Sequence, residues 1–162
     1  MAGTRAFDLI DYVVSSLQAG TGLCAPGGIT IPVYDGPVST QYDPPVYVIV
    51  GAYGFADEDE VPETTVDAQW ASLPIGAGHR SETVSVPCVV AAWSGGQDWS
   101  GTRGQVETAF DAVSTVLMTK ATWDGLSNID QIIMTNVRMT QTATDLGIQV
   151  MMTFDVDATF RV

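Results

Sequence analysis

The side chains of this 162-residue chain that are able to do chemistry are few and far apart. Its single histidine, His79, stands in a glycine-rich stretch without a nearby cysteine, which is typical of a solvated surface side chain. The run Gly101–Gly104 precedes a predicted helix but lacks the G-x-x-x-x-G-K-S/T spacing of a phosphate loop. No nucleophile with a base and no set of metal ligands is evident. The sequence therefore predicts a protein that is not an enzyme and has no metal or cofactor.

Five acidic residues crowd into seven positions: Asp57, Glu58, Asp59, Glu60 and Glu63. Alternate carboxylates are able to bind Ca²⁺, but the turn glycine of a calcium loop is missing and Pro62 stiffens the end. A block of like charges repels itself and stays solvated. We expect an acidic loop at about residues 55–80 that acts by charge.

Two tryptophans, Trp93 and Trp99, flank a second glycine-containing loop. They suit stacking on sugars or bases, or they cover the sheet or fill a protein interface. The acidity of the chain favours the second interpretation. Cys24 and Cys88 have no partner at metal-site or redox spacing, and Cys88 lies in an apolar alternation, which predicts a small core residue.

Two helices are predicted to support these residues. The first covers Thr4–Ala19, with one apolar face formed by Phe7, Ile10, Val14 and Leu17. The second begins with a capping box, Thr102 and Gln105, and carries Val106, Phe110, Val113 and Leu117 on one stripe.

The remaining patterns predict strands. The apolar run Val46–Val50 reads as a buried central strand, and residues 82–93 alternate as a long strand in which Pro87 indicates an edge or a bulge. Residues 132–142 and 146–162 form a hairpin, whose last strand is long enough to be bent by a bulge or to leave the domain. The polar positions of that strand, Asp155, Asp157 and Arg161, are predicted to face water or a partner subunit. The order of elements indicates one α+β domain over 1–162, an antiparallel sheet with two helices on one face.

Charge limits the possible partners. Six basic against nineteen acidic residues give a net charge of −13, so the chain repels polyanions, which argues against a DNA-binding groove and favours protein partners. The longest apolar run, Val46 to Ala56, is shorter than the ~18 residues of a membrane span. The N-terminal residues do not resemble a secretory signal, which predicts synthesis in the cytoplasm.

The order of these motifs resembles tail terminator proteins of long-tailed, non-contractile phages of actinobacteria. The resemblance rests on Pro32–Pro37, an aliphatic strand ending in Gly51, the alternation from Arg80 to Val90, Trp93-x-Gly95, a helix opening at Arg103, and a closing strand from Gly147 to Val156. It covers most of the chain from Asp8 onward. The run Asp57–Asp67 departs from it by being longer and more acidic than expected.

What the resemblance implies is an α+β subunit of a hexameric ring. Such a ring caps the tail tube, is assembled in the host cytoplasm, contacts the tail tube protein and neck proteins of the virion, and lets DNA pass only through its lumen. It implies no catalytic residues. Other interpretations stay open at this point: a tail tube subunit, a neck adaptor, or a monomeric carbohydrate- or calcium-binding module.

Overall fold

The computed structural model describes residues 4–19, 24–25, 29–37, 45–54, 66–71, 80–119, 123 and 125–161. Within these ranges the chain forms two helices and eight strands, and the predicted α+β class is confirmed. In chain order they are α1 (Ala6–Gln18), β1 (Cys24–Ala25), β2 (Ile29–Thr30), β3 (Val33–Asp35), β4 (Val46–Val50), β5 (Asp67–Ala71), β6 (Ser81–Ser94), α2 (Trp99–Met118), β7 (Ile129–Thr144) and β8 (Gly147–Arg161). Neither helix is long and apolar enough to cross a membrane.

Six strands form one sheet, in the order β3-β4-β6-β8-β7, with β5 pairing β6 beside β4. All pairs are antiparallel except β3 with β4. Strand β8 pairs with β6 along its length, from Arg161 opposite Ser81 to Ile148 opposite Ser94. The expectation that the last strand is bent by a bulge or leaves the domain is wrong, because β6 is equally long and the register shifts lie in β7.

Both helices pack on one face of the sheet, as predicted. The even-numbered side chains of β4, β6 and β8 point to this face and join the buried faces of α1 and α2 in one apolar core. The opposite side, called here the open face, carries a smaller buried cluster of Tyr47, Ile49, Ala52, Val89 and Ala91. Strand β4 is therefore buried on both sides, and Cys88 is a buried core residue with a free thiol.

The apolar face predicted for α1 is partly wrong. Phe7 is 71% exposed, whereas Leu9, Val13 and Leu17 are buried against the sheet. The sequence of α1 contains two overlapping apolar stripes, and the one with i, i+4, i+8 spacing faces the core. The stripe predicted for α2 is confirmed, with Phe110 half-buried at its margin.

Helix α2 begins earlier than predicted. Asp98 is its N-cap, and the carboxylate accepts a hydrogen bond of 2.9 Å from the backbone N–H of Gly101. Thr102 lies inside the helix and donates its hydroxyl to the Asp98 carbonyl. The predicted capping box is therefore wrong, since the Asp98 carboxylate already caps the Gly101 N–H and the Thr102 N–H is bonded to the Asp98 carbonyl within the helix.

Pro87 lies in the middle of the sheet and not at an edge or bulge. In an antiparallel strand the N–H and C=O of one residue point to the same side. The Pro87 carbonyl accepts from Gly51 on the side of β4 and β5, so the missing N–H faces that side too. Pairing with β4 ends at Cys88 and pairing with β5 begins at Ser85, so the proline falls between two partners and removes no ladder bond.

A buried carboxylate joins α1 to the sheet. Glu82 of β6 is fully buried, and its oxygens accept from the Thr4 hydroxyl at 2.5 Å and from the Arg5 backbone N–H at 3.1 Å. The acidic side chain thus lies at the positive end of the α1 dipole and satisfies donors that have no partner within the helix.

Candidate assembly surface

One edge of the sheet is the long strand β7. It pairs with β8 on one side and with no other strand in the part of the chain that the structure describes. Every residue from Asn136 to Thr144 is exposed. Residues 138–144, called here the outer segment, therefore offer a free strand edge.

The backbone polarity of the outer segment follows from its turn. A two-residue turn joins Thr144 to Gly147, and the residues that close such a turn exchange hydrogen bonds across it. Alternate residues then point the other way, so the N–H and C=O groups of Met139, Gln141 and Ala143 face outward. These groups form a ready template for another strand.

The side chains of β7 do little to prevent such pairing. The strand contains only two charged residues, Asp130 and Arg138. Exposed hydrophobic side chains occur along it and at its turn, namely Ile133, Val137, Met139 and Leu146. Natural edge strands are usually protected by charges, prolines or bulges. Strand β7 has two register shifts and these two charges, but it contains no proline.

One of the shifts is held by a buried carboxylate. The register slips between Thr135 and Arg138, where Asn136 has a positive φ of 53° that asparagine tolerates. The Asn136 amide donates to Asp155 Oδ2 at 2.6 Å, and the Tyr53 hydroxyl donates to Asp155 Oδ1. Asp155 is only 5% exposed, so the prediction that it faces water or a partner is wrong. Its two donors make its burial possible.

The neighbouring groups extend this polar cluster. Thr135 donates to Asp157 Oδ2 at 2.7 Å, while Asp157 Oδ1 is buried without a hydrogen bond. Partial burial, and then the hydrogen bond and negative charge of Asp155, raise the pKa of Tyr53 to about 12. Tyr53 therefore stays a hydrogen-bond donor at neutral pH.

A groove of about 580 Å³ opens beside the cluster on the open face. It is lined by Tyr53, Asn136, Val137, Arg138, Thr140, Thr153 and Asp155. Among the described residues, no carboxylate lies within ion-pair distance of Arg138, whereas Arg5 and Arg161 each have one. Arg80 and Arg103 have no carboxylate partner there either, but Arg80 lies over the Trp70 ring and Arg103 bonds the Gln141 amide.

A second free edge lies at the other side of the sheet. All five residues of β5 are exposed, and β5 pairs only with β6 within the described ranges. Trp70 is 49% exposed, with the Arg80 guanidinium 5.8 Å from its ring centre. Asp67, at the start of β5, also lacks an ion-pair partner among the described residues.

The other predicted site residues are not brought together. Asp57, Glu58, Asp59, Glu60 and Glu63 lie outside the described residues. Trp93 lies on the open face one residue before the end of β6, whereas Trp99 is the first residue of α2 and packs on the helix-side core, so they form no common stacking platform. Arg161 forms an ion pair with Asp130 at 2.9 Å. It lies six residues beyond Asp155 in the same strand, which at ~3.3 Å per residue separates the two positions by ~20 Å.

Neither a protein-family model nor a curated protein sequence matches this chain. In the described ranges, no three of His, Cys, Asp and Glu lie close enough to hold a metal ion. Sequence reasoning missed Tyr53, Asn136, Arg138 and β5. The break in alternation at Thr135–Arg138, with an asparagine in it, was the signal that indicates a bulge.

Proposed function

We propose that this protein is a structural virion subunit, a tail terminator that forms a hexameric ring, caps the tail tube and joins it to the neck. The observation that carries the proposal is the pair of free edges, β7 and β5, on opposite sides of one sheet. Contacts between two different surfaces of identical subunits repeat around an axis and close into a ring.

The charge of the subunit supports this proposal. DNA has to pass through a tail lumen without binding to its wall, and an acidic wall repels phosphates. Only six of the 162 residues are basic. Two of the described arginines, Arg5 and Arg161, are in addition paired with carboxylates.

The test is the mass and shape of the purified protein. Light scattering is expected to give six times the subunit mass, and negative-stain microscopy to show single or paired rings. Long filaments would instead assign a tail tube subunit. A monomer whose melting temperature rises with calcium or a sugar would assign a binding module.

The terminator role has its own assay. Added to polymerising tail tube subunits, the rings should stop tube growth and remain at the tube ends. Rings that form but leave tube length unchanged would contradict the terminator role and favour a neck adaptor.

A further inference from the structure

We infer that neighbouring subunits join by strand addition, β5 of one copy pairing with the outer segment of β7 of the next. This inference rests on the proposed ring and names the contact that closes it. The result is one sheet continued from subunit to subunit, in which main-chain hydrogen bonds supply affinity.

The position of the two edges supports a head-to-tail contact. The sheet runs from β5 through β6 and β8 to β7, so the free edges face opposite ways. The competing edge on the β5 side is β3, which has three residues and whose Val33 carbonyl already accepts from the Gln18 side chain. Strand β5 has no such cover within the described residues, since all its residues are exposed.

The directions of the strands also agree. Strand β5 runs opposite to β6, and β7 runs in the direction of β6 because β8 is antiparallel to both. The registers place β5 level with the first residues of β7, since Ser81–Ser85 pair with residues 157–161 of β8 and these with residues 129–133. The outer segment lies further along β7, so the ring axis has to be inclined to the strands, as in β-barrels, where the tilt is ~35–45°. A rotation about such an inclined axis still preserves the senses of the strands. Strand β5 of one copy then meets β7 of the next as an antiparallel pair, like most other pairs in the sheet.

The backbone groups face each other in such a pair. The Pro87 carbonyl points toward β4 and β5, so in the same uninterrupted strand Ser85 and Thr83 point there as well. Their partners Asp67 and Gln69 therefore point inward to β6. Ala68 and Trp70 are left pointing outward on β5, as Met139 and Gln141 are on β7.

The side chains of the two edges are complementary on both faces. Arg138, opposite Thr153, and Asp67, opposite Ser85, both lie on the open face, and neither has an ion-pair partner in the described part of the chain. On the helix-side face, Trp70 is 49% and Met139 48% exposed. The contact would pair opposite charges on one face and cover two apolar side chains on the other.

The first test is a matched pair of variants at Gln141. Gln141→Pro removes an outward N–H and blocks strand addition, while it leaves the bonds to β8 intact. Gln141→Ala loses the same side-chain bond from Arg103 at 3.1 Å but keeps the N–H, so it is the control. We expect Gln141→Pro to raise the subunit concentration needed for ring formation at least ~10-fold relative to Gln141→Ala, at equal urea midpoints. Equal assembly of the two variants would overturn the contact while leaving the ring itself standing.

A charge exchange identifies the occupant and does not depend on how the proline variant folds. Arg138→Asp should weaken ring formation, and Asp67→Arg in the same chain should restore most of it. Weakening without rescue would mean that β7 meets a surface other than β5 and would overturn the inference. A parent protein that stays monomeric would overturn the ring and the contact together.

Discussion

Raising the pH should destabilise this protein through one buried thiol. Burial raises the pKa of Cys88 from an ordinary 9.0 to about 12; the negative charge of Asp155 adds to the shift, and a backbone hydrogen bond with Gly51 opposes it. The folded chain therefore holds the thiol proton more tightly than the unfolded chain. The stability linked to Cys88 is complete below pH 9 and is lost as the pH rises toward 12.

The magnitude follows from these two pKa values. Between them each pH unit costs ~1.4 kcal/mol, and the loss at pH 10 is ~1.4 kcal/mol because ionisation of the unfolded thiol is then about nine-tenths complete. With a urea dependence of ~2 kcal/mol per molar, the unfolding midpoint moves by ~0.7 M.

The assay is urea unfolding at pH 7 and pH 10, followed by tryptophan fluorescence. Cys24→Ser provides the background, and Cys88→Ala in that background is the control, because it retains every other group that titrates, including Tyr53. The free energy of unfolding of the Cys24→Ser protein should fall by ~1.4 kcal/mol more than that of the control between the two pH values. Equal losses in the two proteins would refute the reasoning.

Three further outcomes are expected. Tyr53→Phe removes a donor from the buried Asp155 carboxylate and should lower the free energy of unfolding by ~1–2 kcal/mol, and it should remove a tyrosine that titrates at about pH 12 in ultraviolet difference spectra. Phe110→Ala should cost ~2–3 kcal/mol in a denaturant titration, since the ring is half-buried and packs edge-on against Phe154 with centres 5.3 Å apart. Asp98→Ala should cost ~1 kcal/mol and Asp98→Ser much less, because serine also caps a helix N-terminus; equal losses would contradict the cap.

The strands could be predicted from the sequence wherever one face is buried. Strands β6 and β8 alternate apolar and polar residues, and this period of two indicates which side chains point toward the core. The hairpin at Thr144–Gly147 followed from the same pattern. These elements fixed the fold class and most of the core in advance.

The buried polar groups could not be predicted, for one common reason. Nothing near Glu82 in the sequence identifies the groups that satisfy it, since Arg5 lies 77 positions earlier. Asp155 looked like a surface residue because its donors, Tyr53 and Asn136, come from distant parts of the chain. A buried polar group is defined by tertiary neighbours, which local periodicity does not contain. The free edges on which the proposed function depends could not be predicted either, because the order of strands in a sheet depends on pairing between distant segments of the chain.

The position of β8 between β6 and the edge strand β7 has a consequence for synthesis. Strand β6 pairs along its length with β8, which follows it in the chain only after α2 and β7, so β6 is synthesised well before its partner. Until residues 147–161 leave the ribosome, the backbone edge of β6 that pairs with β8 is unpaired. The apolar face on which α2 packs is also incomplete, because it lacks the side chains of β8. Such non-local pairing is slow to form, and chaperone contact during this interval would protect the chain from aggregation.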